Sequence, residues 1–278
     1  MRLRQDGVFY TDVHEEYAAA TPAEGVDSFP MLVIALAESG GLTANADTIE
    51  RLAARHRERL FDERRSIVTG TGSAWWDSAA TPRETYNTAV LIAAVERLDE
   101  ANLETVYEGL TDELYAGLDD HFWTGSHYAE HRGSGTLACD ANVVPLYFGL
   151  VDDNRASTIV DVLDALRTRY GRRLRERPFS RRELRPHFWL HPDYHYHVWP
   201  WNSYMYAIGA RRYGYHERAR RECERVDAVQ RRYGTFLEVI GLDGRPYAKL
   251  GYASASDFTV AAALWTQERQ RRQSTETT

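Results

Sequence analysis

Two carboxylates stand where acid–base chemistry has the surroundings it needs. Asp77 follows directly on Trp75 and Trp76, with Thr81-Pro82-Arg83-Glu84 close behind. Apolar bulk beside a carboxyl group disfavours its charged form and lets it hold a proton near neutral pH, the requirement for a general acid. The competing reading is that Asp77 caps a helix beginning near Ser78 or Thr81. Glu238 is the lone carboxylate of the largely apolar run Thr235–Ile240, ahead of an Asp243-Gly244 turn. It either points to solvent from an edge or faces a cavity. An outward turn costs almost nothing, whereas an inward charge costs several kcal/mol unless donors and a use compensate it.

A third segment runs His191-Pro192-Asp193-Tyr194-His195-Tyr196-His197-Val198-Trp199-Pro200-Trp201-Asn202. His195 and His197 alternate, and in an extended chain alternation puts side chains on one face, as a metal site would want. No cysteine or convincing acidic ligand completes such a set. Substrate contacts and structural hydrogen bonds are the other readings, and Trp199-Pro200-Trp201 suits a helix start packed at a cleft floor. Asp27-Ser28-Phe29-Pro30 and Asp140-Ala141-Asn142-Val143-Val144-Pro145 each place an acidic residue and a proline at the opening of an apolar helix. Helix capping accounts for both, with bonds from Asp27, Asp140 or Asn142 to sugar hydroxyls as the alternative.

The elements that must position these groups are helices. Apolar residues recur at helical spacing through nearly every long segment, and period-two runs are short and rare. The pattern predicts helices over Asp27–Glu38, Ala44–Leu60, Arg83–Asp99, Asn102–Asp119, Ala138–Leu150, Asn154–Tyr170, Trp199–Tyr213, Tyr215–Tyr233 and Ser254–Arg271. Asp27, Thr81-Pro82, Asn102, Asp140 and Ser254 are the candidate start signals. Short links alternate with the long ones Phe61–Ala80, Phe122–Leu137, Gly171–His197 and Gly234–Ala253. Helical hairpins arranged around an axis have such connections, with the long loops gathered at one end. The prediction is therefore an all-α fold, a toroid of helical hairpins forming one domain over residues 1–278, with a polar tail that frays from about residue 272.

Composition narrows the function. With 34 basic against 41 acidic residues the net charge is −7, and the basic residues are spread rather than massed in a stripe, which disfavours nucleic acid. Nowhere does an apolar run approach the ~20 residues of a membrane helix, and the N-terminal stretch lacks the apolar region of a signal peptide, so a soluble cytoplasmic protein is expected. Cys139 and Cys223 are too few for a disulfide framework and form no CxxC pair. The 7 Trp and 17 Tyr exceed what a core requires. Several lie beside Gly, Asp, His or Asn in loops, the make-up of a cleft in which aromatic faces stack on sugar rings.

The order Asp27-Ser-x-Pro, Trp75-Trp76-Asp77-Ser78 with Thr81-Pro82-Arg83, Phe122-Trp123-x-Gly125, Asp140-Ala141-Asn142-x-x-Pro145, Tyr194-His195-x-x-Val198-Trp199-Pro200-Trp201 and Gly234-Thr235-Phe236-x-Glu238 resembles the six-hairpin glycosidases. It is most similar to the amylo-α-1,6-glucosidase domain of glycogen-debranching enzymes, with trehalases and processing α-glucosidases more distant. The likeness extends from about Asp27 to Leu264. It implies an α/α toroid and an inverting hydrolase, with Asp77 as general acid and Glu238 as general base. Two carboxylates about 6.5–9.5 Å apart serve that mechanism. Trp75, Trp76, Trp199 and Trp201 would then wall the sugar subsites, and Arg83, His195 and Asn202 would orient hydroxyls. No metal or organic cofactor is needed, and an oligosaccharide or polysaccharide is the expected partner. A complete toroid of the family has twelve helices against about nine here, so the ring is expected to be incomplete at its N-terminus. Uncovered helix faces would then favour self-association or a companion domain. Ser256-Asp257-Phe258-Thr259 stands where the family has Ala-Trp-Ser, leaving the role of Asp257 open.

Overall fold

The computed structural model describes residues 2–3, 9–10, 25–71, 73, 76 and 78–276, without the side chains of 2–3, 9–10 and 274–276. The chain divides into two compact units, the first made of residues 1–123, 129–134 and 182–185, the second of 124–128, 135–181 and 186–278. Both are helical, and the strands described form only two-stranded antiparallel pairs.

In the first unit the short pair β1 (Arg2–Leu3) and β2 (Phe9–Tyr10) precedes α1 (Ser28–Glu38) and α2 (Ala46–Leu60). Then come β3 (Phe61–Asp62) with β4 (Ile67–Val68), α3 (Glu84–Glu100) and α4 (Thr111–Phe122). Pro30 is tolerated in α1 because first-turn amides lack intrahelical partners anyway. α2 buries Ile49, Leu52, Ala53, His56 and Leu60 along one stripe, whereas α3 is buried all round from Glu84 to Val95. A helix apolar on every side belongs at the centre, and α1 and α4 both pack against α3. Gly117 lets α4 meet the turn before β4, since a Cβ there would stand 2.5 Å from the Ser66 carbonyl oxygen.

The second unit repeats this plan around another central helix. It contains α5 (Asp140–Phe148), α6 (Asp153–Val162), β5 (Arg167–Thr168) with β6 (Gly171–Arg172), and α7 (Pro200–Arg212). It continues through α8 (His216–Tyr233), β7 (Ala248–Lys249) with β8 (Tyr252–Ala253), and α9 (Thr259–Glu276). α7 is buried from Pro200 to Ala210 and packs against α5, α8 and α9. Gly209 permits the α5 contact, because a Cβ there would lie 2.9 Å from the backbone of Leu146 and Tyr147.

The helices fall on the predicted segments, and the differences lie at their ends. Asn102 does not start α4. It takes φ 51° at the end of α3, and turns carry the chain to Thr111. The predicted helix from Asn154 stops at Val162, followed by a 3₁₀ turn over Leu163–Leu166 and the β5–β6 hairpin. Ser254 does not start α9 either, because Ser254 N–H bonds back to Tyr247 O and Asp257 takes φ 57°. At its far end α9 runs through Glu276, past residue 272. Asp27 precedes α1 without a side-chain cap bond, and Asp140 is the first helical residue of α5 rather than its cap, whereas Asp152 does cap α6 by accepting from Arg155 N–H.

Candidate active site

In the first unit, Trp75 and Asp77 lie outside the described residues. Trp76 is fully buried, with the Arg83 guanidinium 3.7 Å from its ring centre. Arg83, just before α3, is itself buried and donates through Nη1 to Glu130 Oε2 at 2.5 Å. The next residue, Glu84, is held by Arg132 through Nη2 at 2.6 Å and the backbone N–H at 3.0 Å. Asp27 is buried and accepts a bond from Tyr86 Oη at 3.1 Å. The packing of α1 against α3 thus turns an expected cap into a link between two helices.

The second unit contains Glu238. Its chain neighbours Leu237 and Val239 are buried, while Glu238 is half-buried. Tyr194 Oη donates to Glu238 Oε1 at 3.3 Å, Tyr252 Oη donates to Oε2, and Ala255 N–H reaches Oε2 at 3.2 Å. Local folding explains the meeting. Gly241 N–H bonds to Arg245 O at 2.7 Å across the Asp243-Gly244 turn, where Gly244 takes the left-handed φ of 79°. The chain runs back along itself, reverses again in β7–β8, and returns beside its start, where Glu238 N–H bonds to Ala255 O at 3.0 Å. Of the two orientations left open by the sequence, the side chain takes the one that meets donors.

The histidine segment does not form an extended strand. Tyr194–Tyr196 is a 3₁₀ turn, so His195 and His197 do not share a face. His195 is buried and stacks on Trp199 at 5.0 Å with 5° between planes, and Trp199 Nε1–H donates to Tyr194 O at 3.2 Å. His197 faces Asp193 at 3.4 Å, and burial pushes its pKa below the usual value against the pull of that carboxylate. Burial opposes ionisation of Asp193 too, but the Lys249 ammonium at 2.7 and 2.8 Å prevails and holds the carboxyl below its ordinary range. Among the described residues, no group of three His, Cys, Asp or Glu side chains is disposed to hold a metal ion.

Trp201, Asn202 and Asp140 are all buried. The Asn202 amide lies against the Cys139 thiol, whose pKa burial pushes up. Asn142 is fully engaged with backbone, accepting from Tyr128 N–H at 2.8 Å and donating to Tyr128 O and Ala138 O at 2.9 Å. The aromatic side chains of this unit that reach solvent include Trp189, 47% exposed.

The structure therefore brings Glu238 together with Tyr194, Tyr252, Asp193, Tyr247 and Lys249. Of these, Tyr252, Tyr247 and Lys249 belong to none of the motifs above, and Asp193 enters only through the histidine run. The available signal was the spacing Tyr247-x-Lys249-x-x-Tyr252 directly after an Asp-Gly turn, polar tips on a hairpin that the turn must fold back. Chemically, a carboxylate held by phenols and an amide is fixed in direction while keeping its full negative charge, which suits it to take a proton from water.

The sequence matches no family model and no curated protein. Solved structures match in fold. The GH63 mannosylglycerate hydrolase of Thermus thermophilus, in complex with Tris, aligns at TM-score 0.63 and 15% identity over 94% of this chain and 83% of its own. Its complex with glucose aligns at 0.59 and 17% identity, over 91% and 78%. A rhamnosidase of Klebsiella oxytoca with rhamnose bound aligns at 0.58 and 13% identity over 88% of this chain, which spans 45% of the rhamnosidase. The mostly helical fold of the chain resembles that of the six-hairpin, α/α toroid glycosidases. Among the described residues, no helix is long and apolar enough to cross a membrane.

Proposed function

We propose that this protein is an inverting glycoside hydrolase acting on α-glucosidic linkages of oligosaccharides or branched glucans. Asp77 gives its proton to the leaving oxygen as the glycosidic C–O bond breaks. Glu238 takes a proton from the water whose oxygen bonds to the anomeric carbon. Residues 1–278 serve as one catalytic domain in this reading.

The observation that carries it is the seat of Glu238. A carboxylate in an apolar run costs free energy to draw inward, yet here it is turned toward two phenols and a backbone N–H, with no cation bonded to it among the described residues. The fold shared with two glycosidases supports the reaction class, and the order of motifs from Asp27 to Glu238 supports a debranching-type substrate. A mannosylglycerate-type specificity is the second reading, supported by a fold match that spans 83% of that hydrolase.

Release of free sugar from maltooligosaccharides, branched dextrin and mannosylglycerate by the purified protein separates the two. Binding of these sugars without turnover would make the chain a non-catalytic carbohydrate binder. Asp77→Asn should abolish hydrolysis of these glycosides and spare α-glucosyl fluoride, whose leaving group needs no proton. Full activity of Asp77→Asn on a natural glycoside would make Asp77 a helix cap.

A further inference from the structure

We infer that Tyr252 is a positioning residue for Glu238, delivered by a hairpin that the Asp193–Lys249 ion pair latches in place; the inference rests on the reading of Glu238 as the base. β7 and β8 pair over only two residues each, and the tip between them carries Leu250, 84% exposed. Backbone pairing this short does not fix a hairpin by itself. Side chains seat it instead, several of them on the segment 191–197. Lys249 Nζ grips both oxygens of Asp193 at 2.7 and 2.8 Å, Tyr247 Oη donates to Asp193 Oδ1 at 3.1 Å, and the Tyr252 ring meets those of His191 and Tyr194. Tyr194, from the same segment, supplies the other phenol on Glu238. One latch therefore sets both donors.

Each phenol has one proton, and the two phenol oxygens lie 3.0 Å apart. Tyr194 meets one oxygen of Glu238 and Tyr252 the other. Among the described residues, the titratable and charged groups packed about this carboxylate include Tyr194 and Tyr252 in contact, with His191, Asp193, His195, Tyr247 and Lys249 behind them. The two phenols fix the direction in which the carboxyl oxygens point.

α-Glucosyl fluoride isolates the base half of the reaction. Tyr252→Phe should lower kcat on it about tenfold with KM within about twofold, because a base that loses its orientation is impaired mainly in the transition state. Tyr194→Phe should act in the same direction and more weakly, and Lys249→Met should lower kcat a few-fold through the lost latch. If Glu238→Gln loses about 10²-fold in kcat while Tyr252→Phe keeps the wild-type kcat, Tyr252 does not position the base. If Glu238→Gln keeps the wild-type kcat, the base assignment falls and the positioning role with it.

Discussion

Glu130 in the first unit and Glu238 in the second are carboxylates with opposite kinds of company. Glu130 is 1% exposed and answered by the guanidinium of Arg83, which is 0% exposed. Glu222, 0% exposed, is answered in the same way by Arg172. Glu238 meets two phenols and one amide. A buried carboxylate paired with a cation has its charge cancelled and its lone pairs spent, which makes it structural. A half-buried carboxylate held by neutral donors is fixed in direction but keeps the charge with which it can bind a proton. Burial alone would have ranked Glu130 and Glu222 ahead of Glu238 as sites of unusual chemistry, and the type of partner reverses that order.

Breaking the cancelled charge should have the largest effect. Arg83→Met leaves Glu130 buried without its cation and should cost about 3–5 kcal/mol in urea unfolding, whereas Arg83→Met combined with Glu130→Gln should recover part of the loss. A loss below about 1 kcal/mol would mean that the ion pair is as weak as a surface one.

The first unit also buries His56 as the neutral base, with Tyr107 Oη 2.7 Å from Nδ1 and Val26 O 3.2 Å from Nε2. Burial pushes its pKa from 6.5 down to about 4. The folded state binds this proton less readily than the unfolded chain, so the contribution is complete above pH 6.5 and is lost as pH falls through 6.5 toward 4. That loss amounts to about 3 kcal/mol at full protonation. Unfolding followed at pH 7 and pH 4.5 should show the slope in the wild type and a smaller one in His56→Gln.

Around Glu238 effects on stability should be small. The Asp193–Lys249 pair is part-exposed, so Lys249→Met should cost no more than about 1 kcal/mol by thermal unfolding. Glu238→Gln should change stability least, by under about 0.5 kcal/mol, because an amide keeps an acceptor for a phenol and sheds a charge to which no cation is bonded among the described residues. A loss above about 2 kcal/mol would class Glu238 with Glu130 as a structural carboxylate.

How far the sequence reveals this depends on the distance between interacting groups. Helices such as α2 and α8 are legible because their apolar stripes repeat every turn. Their ends are less so, since Asn102 and Asp257 at positive φ follow from tertiary turns rather than from a local signal. Glu238 stands out as a lone carboxylate among apolar residues, but its orientation depends on Tyr252, brought back by two chain reversals, and on Tyr194 from another loop. Asp27 reads as a cap from its neighbours, whereas its bond is to Tyr86, on a different helix. Trp199 reads as a subsite wall, and one of its faces is taken by His195, four residues before it. Residue types and helical spacing are local properties, while the partners that distinguish a structural carboxylate from a reactive one are not.

The central claim is that the neutrally held carboxylate is the reactive one, and turnover of Glu238→Gln tests it most directly. Free sugar released from maltooligosaccharides, branched dextrin or mannosylglycerate should fall by a factor of about 10² or more against wild type, with sugar affinity nearly unchanged and part of the rate restored by azide. A Glu238→Gln protein that releases sugar at the wild-type rate would contradict the account.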